Sequence, residues 1–325
     1  MNDPSRLARL NAIKLAALVR DHLGGDDPQL VPGEFPGGAA LRRGDEAWVL
    51  LAERPERGLG GALAWAIRQG AAALHVVAES ATGLLARRAA GFSLPVSVWH
   101  AEGRILLPAV AEPLPVPGEV PPAHREFAAV IAEAGAEPQE EFGVLSGEVA
   151  GLEVCRVVHD PFLDVDRLEV GVGAHDREAF LALHGDRPSA PALADVVRSV
   201  TEHRLSGATV HPLARLAQER LLRARLVESP GTIGASSVVP APPPVPRPNL
   251  KDPVPCCATA VVDGRTVAVV CSAGVDLDAV PFAVDARAAL GTEECLLVVP
   301  RRDAIEVQRL LAAAAQPPVT IVPVD

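Results

Sequence analysis

Ala258-Thr259-Ala260-Val261-Val262-Asp263-Gly264-Arg265-Thr266-Val267-Ala268-Val269-Val270-Cys271 reads as two strands folded back on one turn. Asp-Gly between two apolar, β-branched runs is a strong hairpin signal, because a two-residue turn of this kind needs positive φ at its centre. Working outward, Leu277–Leu290 has helical spacing and Cys295–Val299 is a compact apolar strand. Ala304–Ala315 is helical again, and Val319–Val322 is a last strand. The order is β-hairpin, helix, strand, helix, strand.

The same order stands near the other end of the chain. Ala39–Leu41 and Ala47–Ala52 are joined through Arg42-Arg43-Gly44-Asp45, followed by a helix at Ala62–Arg68 and a strand at Ala73–Ala78. A helix at Ala81–Ala90 and a short final strand at Pro95–Trp99 complete the set. Gly44 and Gly264 lie 220 residues apart, as do His75 and Cys295, and the last strands lie 223 apart. The reading is one unit present twice. An amphipathic helix over residues 5–23 precedes the first copy, ending at Gly24-Gly25, and the stretch on to Gly38 reads as loop.

A different module lies between the copies. Glu112–Pro122 is a Pro-rich linker, His124–Ala134 a helix, Gly143–Val158 a bent or broken strand pair and Leu168–Val172 a strand. Helices follow at Asp176–His184, Asp195–His203 and Pro212–Leu226. Ser229–Pro255 contains Pro240-Ala241-Pro242-Pro243-Pro244 and is expected to be a semi-rigid linker without regular structure. The expected fold class is therefore α/β, with two similar outer modules flanking a distinct α+β middle module. Its divisions are 1–112, a linker at 113–121, 122–228, a linker at 229–255, and 256–325. The outer modules are expected to pair about a pseudo-two-fold axis around the middle one.

Composition narrows the function classes. A chain of 325 residues suits two or three modules. Aromatics are only 3% with no Tyr, so the core rests on Ala, Val and Leu, and a large aromatic binding patch is not expected. A net charge of −11 disfavours nucleic acid and anionic membrane as partners. The expected partner is a protein or a second copy. No run approaches the ~20 apolar residues of a membrane span, and the N-terminal stretch lacks a signal-peptide core, so a cytoplasmic location is expected. Five cysteines without a CxxC pair read as reduced, mostly buried thiols. Lys14, on a surface helix, and Lys251, in a linker, are the only lysines, which argues against Schiff-base, Walker A and kinase chemistry. There is no GxSxG elbow.

The richest set of chemical groups spans residues 148–176. Glu148, Glu153, Glu169 and Asp176 are hard oxygen donors suited to Mg²⁺ or Mn²⁺, with Glu153 and Glu169 inside Leu-Glu-Val strand patterns. The simpler reading of a Glu among Leu and Val is the solvent face of an antiparallel strand. Gly171-Val172-Gly173-Ala174-His175-Asp176 has a strand-turn-helix context but Asp176 in place of a third glycine, so it reads as a capped turn. Cys271 follows a strand and precedes a helix, but Asp276 and Asp278 oppose thiolate formation, so it reads as structural. Cys256-Cys257 reads as one buried and one exposed thiol. Arg215, Arg220 and Arg223 could grip phosphates or other anions, although a solvated helix face is the simpler reading. Trp48, Trp65 and Trp99 read as core residues.

The order helix, β-hairpin, helix, strand resembles the restriction-endonuclease-like core in topology. That family places an Asp and then Glu-x-Lys on neighbouring strands. The matching stretches here are Asp45 to Glu53-Arg54-Pro55, Glu148 to Glu153-Val154-Cys155, and Asp263 to Cys271-Ser272, and none carries the lysine. The leading expectation is a non-catalytic binding or scaffolding protein. The alternative is a metal-dependent hydrolase of phosphodiesters built on the four carboxylates, with metal-activated water. Convergence of those side chains in one pocket separates the two.

Overall fold

The structure, a computed structural model, describes residues 4–25, 29–173, 176–178, 189–205, 211–246 and 254–325. The first module opens with helix α1 (Pro4–Leu23) and strands β1 (Leu30–Gly33), β2 (Gly38–Arg43) and β3 (Glu46–Leu51). Helix α2 (Leu59–Arg68), β4 (Ala73–Ala78), α3 (Thr82–Ala89), β5 (Val96–Glu102) and β6 (Ile105–Pro108) follow. The strands form one sheet in sequence order, antiparallel at both ends and parallel where α2 and α3 cross over from β3 to β4 to β5.

The middle module begins with short helices α4 (Pro122–Arg125) and α5 (Phe127–Glu133). Strands β7 (Glu137–Glu141), β8 (Val144–Val149), β9 (Leu152–Asp160) and β10 (Val165–Val170) form an antiparallel sheet, and helix α6 (Ser189–Leu205) packs on it. Helix α7 (Gln218–Glu228) leads to the third sheet, made of β11 (Ser237–Ala241), β12 (Cys256–Val262), β13 (Arg265–Cys271), β14 (Cys295–Pro300) and β15 (Thr320–Val324). Helices α8 (Ala279–Ala289) and α9 (Glu306–Ala314) make its crossovers. The fold is thus mixed α/β with three sheets. Among the described residues no helix is long and apolar enough to cross a membrane.

Several expected boundaries are corrected. Pro212–Leu226 is a 3-10 turn at Pro212–Arg215 followed by α7, not one helix. The segment 229–255 contains β11, so it is not a structureless linker. Pro240 is tolerated there because β11 is an edge strand, where one N–H can be missing from the ladder. Strands β1, β6 and β7 lie in stretches read as loop or left unassigned. Cys256 and Cys257 are both buried, at 2% and 0% exposure. Successive strand residues face opposite sides, and this sheet is covered on both. The helix expected at 176–184 falls largely outside the described residues.

The two outer sheets stack through a shared helical layer. One face of the first sheet (Val49, Leu51, Val76) and one face of the third (Val270, Leu297, Val299) enter a single core with Leu59 and Leu63 of α2, Leu85 of α3, Phe282 of α8 and Leu311 of α9. The outer faces are closed separately, by Leu15 and Leu18 of α1 on one side and Leu222 and Leu226 of α7 on the other. The layers therefore run α1, sheet, four helices, sheet, α7. Each fully buried Leu or Phe contributes roughly 1.5–3 kcal/mol, so this shared core ties the outer modules together far more firmly than a linker does.

Their crossover helices contact one another reciprocally. Helix α2 packs on α9, α3 packs on α8, and α2 meets α8. Trp48 pairs with His75 across β3 and β4, and Ala268 with Cys295 across β13 and β14, each partner 220 residues after its counterpart. An antiparallel bridge joins Phe92 to Ala315, with Ser93 N–H donating to Ala314 O and Gln316 N–H to Gly91 O, both at 2.8 Å. Near the centre Gly60 touches the loop before α8. A Cβ on Gly60 would stand 2.2 Å from Leu277 O, whereas one on Gly61 would meet only the Phe35 ring, at 3.5 Å.

Gly60→Ala is therefore expected to lower stability by about 1–3 kcal/mol through overpacking, despite the better helix propensity of Ala. Gly61→Ala is expected to be neutral or mildly stabilising. Denaturant unfolding of both variants checks this, and a Gly60→Ala protein as stable as Gly61→Ala would refute the close approach.

Candidate functional site: the crossing between the outer modules

Strands β3 and β13 each stand third in their sheet, and the loops that leave their C-terminal ends meet. Ligands of open α/β sheets commonly lie in crevices at these strand ends. The 3-10 turn Pro55–Arg57 follows β3 and leads into α2. Ser272–Asp278 follows β13 and leads into α8. Arg57 Nη2 donates to Asp276 Oδ2 at 2.6 Å, joining the two modules. Asp278 stands at the N-cap of α8 but caps the other helix instead: Gly60 N–H, in the first turn of α2, donates to its Oδ1 at 3.0 Å. A third clasp lies alongside, where Arg87 Nε and Arg88 Nε of α3 donate to the two oxygens of Asp285 on α8, at 3.0 and 2.8 Å.

A cleft opens on each side of this crossing, and Arg57 and Asp278 line both. The smaller, about 370 Å³, is bounded by Arg54, Leu84, Arg88, Phe282, Val245 and Val254. The larger, about 770 Å³, runs along α2 over Gly58, Gly61 and Ala64 to Trp65 and Arg68. Phe35 in the β1–β2 turn bounds it on one side, with Val275, Leu277, Ile305 and Val307 from the third module on the other. Trp65, expected as plain core, is half-buried and forms part of this wall.

Asp278 is 7% exposed, and burial pushes its carboxyl up to about 6, against the opposing pull of the Gly60 hydrogen bond; Asp276 pushes it the same way as burial. A buried acid with a shifted pKa inside a cleft is a common mark of a functional site. Asp278 was read from sequence only as a neighbour unfavourable to a Cys271 thiolate. Its partner Gly60 is 218 residues away in sequence, so no local signal marks its burial.

The carboxylates of the middle module are placed differently. Glu148 is 2% exposed and lies between two arginines of α7: Arg220 Nη1 donates to Oε1, and Arg223 Nη2 donates to Oε2 at 2.9 Å. Arg220 Nη2 also donates to Glu141 Oε2 at 2.5 Å. Burial opposes the Arg220 charge, but Glu148 and Glu141 raise its pKa above the ordinary value. Glu153, 3% exposed, accepts two bonds from Arg156 at 3.1 Å and one from Arg177 at 3.0 Å. Glu169 accepts from Arg167 at 3.1 Å, and Asp176 is exposed. Glu148 and Glu153 thus answer to separate arginine sets, and a cation at either would displace guanidinium groups. Among the described residues no three His, Cys, Asp or Glu side chains come together as a metal-holding group.

The solvent-face readings of Glu153, Arg220 and Arg223 are therefore corrected, and Glu148 is buried with them. All four are buried, because charge pairing offsets part of the cost of taking them from water. Arg215 alone of the arginine candidates is exposed. Arg204, not singled out from sequence, holds the approach to α7 by donating to the carbonyls of Ala150, Leu213, Leu216 and Ala217 at 2.7–3.0 Å. Cys271 is fully buried, and its hydrogen bond with Cys256 together with burial raises its thiol pKa well above the ordinary value. Comparison with family models, curated proteins and solved structures finds no match to the chain.

Asp278 yields a pH signature. Its folded-state pKa is raised, so the stability it contributes is fully present below the unfolded value near 4 and is lost as pH rises through about 6. Asp278→Asn keeps an acceptor for Gly60 and carries no charge. The wild type is expected to lose about 2–3 kcal/mol relative to this variant between pH 4 and pH 7.5. Urea unfolding of both proteins across that range checks the sign, and a constant or opposite difference contradicts it.

Proposed function

We propose that this chain is a non-catalytic binding protein whose ligand sits in the larger cleft at the crossing of the outer modules. One observation carries the reading: the cleft lies at the strand ends of both outer sheets and holds a buried carboxyl, Asp278, within an otherwise mainly apolar wall. Its volume lies within the 300–1,000 Å³ typical of small-molecule sites, which combine apolar lining with a few polar groups. The shared strand order and register of the outer sheets support reading them as one unit present twice, with its two clefts diverged in size and lining. The arginine pairing of Glu148 and Glu153 favours this reading over a metal-dependent hydrolase in the middle module, because those carboxylates serve as internal counter-charges.

The test uses the uncharged fluorophore N-phenyl-1-naphthylamine, whose emission rises in apolar sites. Saturable one-to-one binding to the native protein is expected. Gly61→Phe, which places a ring in the cleft, is expected to lower that affinity at least tenfold while the melting temperature stays within a few degrees of wild type. No saturable binding, or binding untouched by Gly61→Phe, would sink the proposal.

A further inference from the structure

The charged groups lining the larger cleft are not equally available. Arg57 is already neutralised by Asp276 across the crossing, at 2.6 Å. Arg68 sits on the exposed end of α2. Asp278 is more than nine-tenths buried; Gly60 N–H occupies its Oδ1, and no group among the described residues donates to Oδ2. Glu53, just past the end of β3, lines the exposed mouth of the same cleft and makes no ion pair among the described residues. Phe35 and Trp65 supply two of the few aromatic faces in the chain.

Asp278 Oδ2 is not fully enclosed, so a group lying in the cleft can donate to it. Two carboxylates beside aromatic faces favour a positive charge, because ring faces attract cations and a carboxylate strengthens its hydrogen bonds to charged donors. An anion finds Arg68 at the rim and Arg57 already paired with Asp276, and it meets Glu53 at the mouth and Asp278 further in. The net charge of −11 also favours encounter with cations.

Building on the binding reading above, we propose that the larger cleft takes an organic cation with an apolar body: an amine that donates to Asp278 while its hydrocarbon part lies against Phe35 and Trp65. Glu53 adds a second negative charge at the mouth. The small residues Gly58, Gly61 and Ala64 along α2 give the apolar body its depth.

The experiment displaces N-phenyl-1-naphthylamine at pH 7.5 with three compounds of one shape: 3-phenylpropylamine, 3-phenyl-1-propanol and 3-phenylpropanoate. The amine is expected to compete at least tenfold more strongly than the alcohol or the carboxylate. Asp278→Asn, which keeps the acceptor for Gly60, is expected to remove that advantage, and Glu53→Gln, at the exposed mouth, to reduce it about threefold. If the alcohol competes as well as the amine, the carboxylate competes better, or both variants keep the amine preference, the amine proposal is wrong although the cleft still binds the fluorophore. If the fluorophore does not bind the wild type, the binding reading falls and this inference falls with it.

Discussion

The crossing of α2 with the loop before α8 is the constraint on which the rest depends. Each outer sheet needs its inner face covered, and each has only two crossover helices to do it. The solution is to place all four helices in one layer that both sheets share. In that layer the first turn of α2 approaches the backbone at Leu277 so closely that a side chain at Gly60 would strain the contact. The approach in turn buries the Asp278 carboxyl against the α2 N-terminus, where a negative group satisfies an otherwise unpaired N–H. The shape of both clefts and the raised pKa of the acid between them follow from that single contact.

The middle module is attached by a different kind of interaction. Helix α7 buries Leu222 and Leu226 on the third sheet and turns Arg220 and Arg223 toward Glu148 of the middle sheet. Gly151 permits the close approach, since a Cβ there would stand 2.3 Å from Arg220 O. A buried ion pair adds little net stability over an apolar one, but breaking it strands a charge. It therefore specifies one docking position. The register shift between Gly147 and Glu148 sits beside this contact, consistent with bulges that re-aim a side chain.

The central strands were legible because their alternation or apolar runs are unbroken, as at Ala73–Ala78 and across the Asp263-Gly264 turn. The strands that escaped notice share a physical feature. β1, β6, β7 and β11 are all edge strands, and each contains a proline: Pro32, Pro108, Pro138 and Pro240. Proline breaks the strand pattern in sequence yet is permitted where one side of the ladder is open. The candidate site was less legible. Glu148 and Glu153 stood out as carboxylates on strands, but their arginine partners come from elements up to 75 residues away. Asp278 and Gly60 look ordinary in sequence, and only the packing of the two outer modules brings them together.

Native-state hydrogen exchange across a denaturant series tests the shared layer most directly. If the outer modules fold as one body, the amides of α2, including Gly60, and those of α8 and α9 exchange through one opening with the same free energy and the same denaturant dependence. Exchange of α2 and α8 at different free energies, each with its own denaturant slope, would show the outer modules opening independently and would contradict a site built between them.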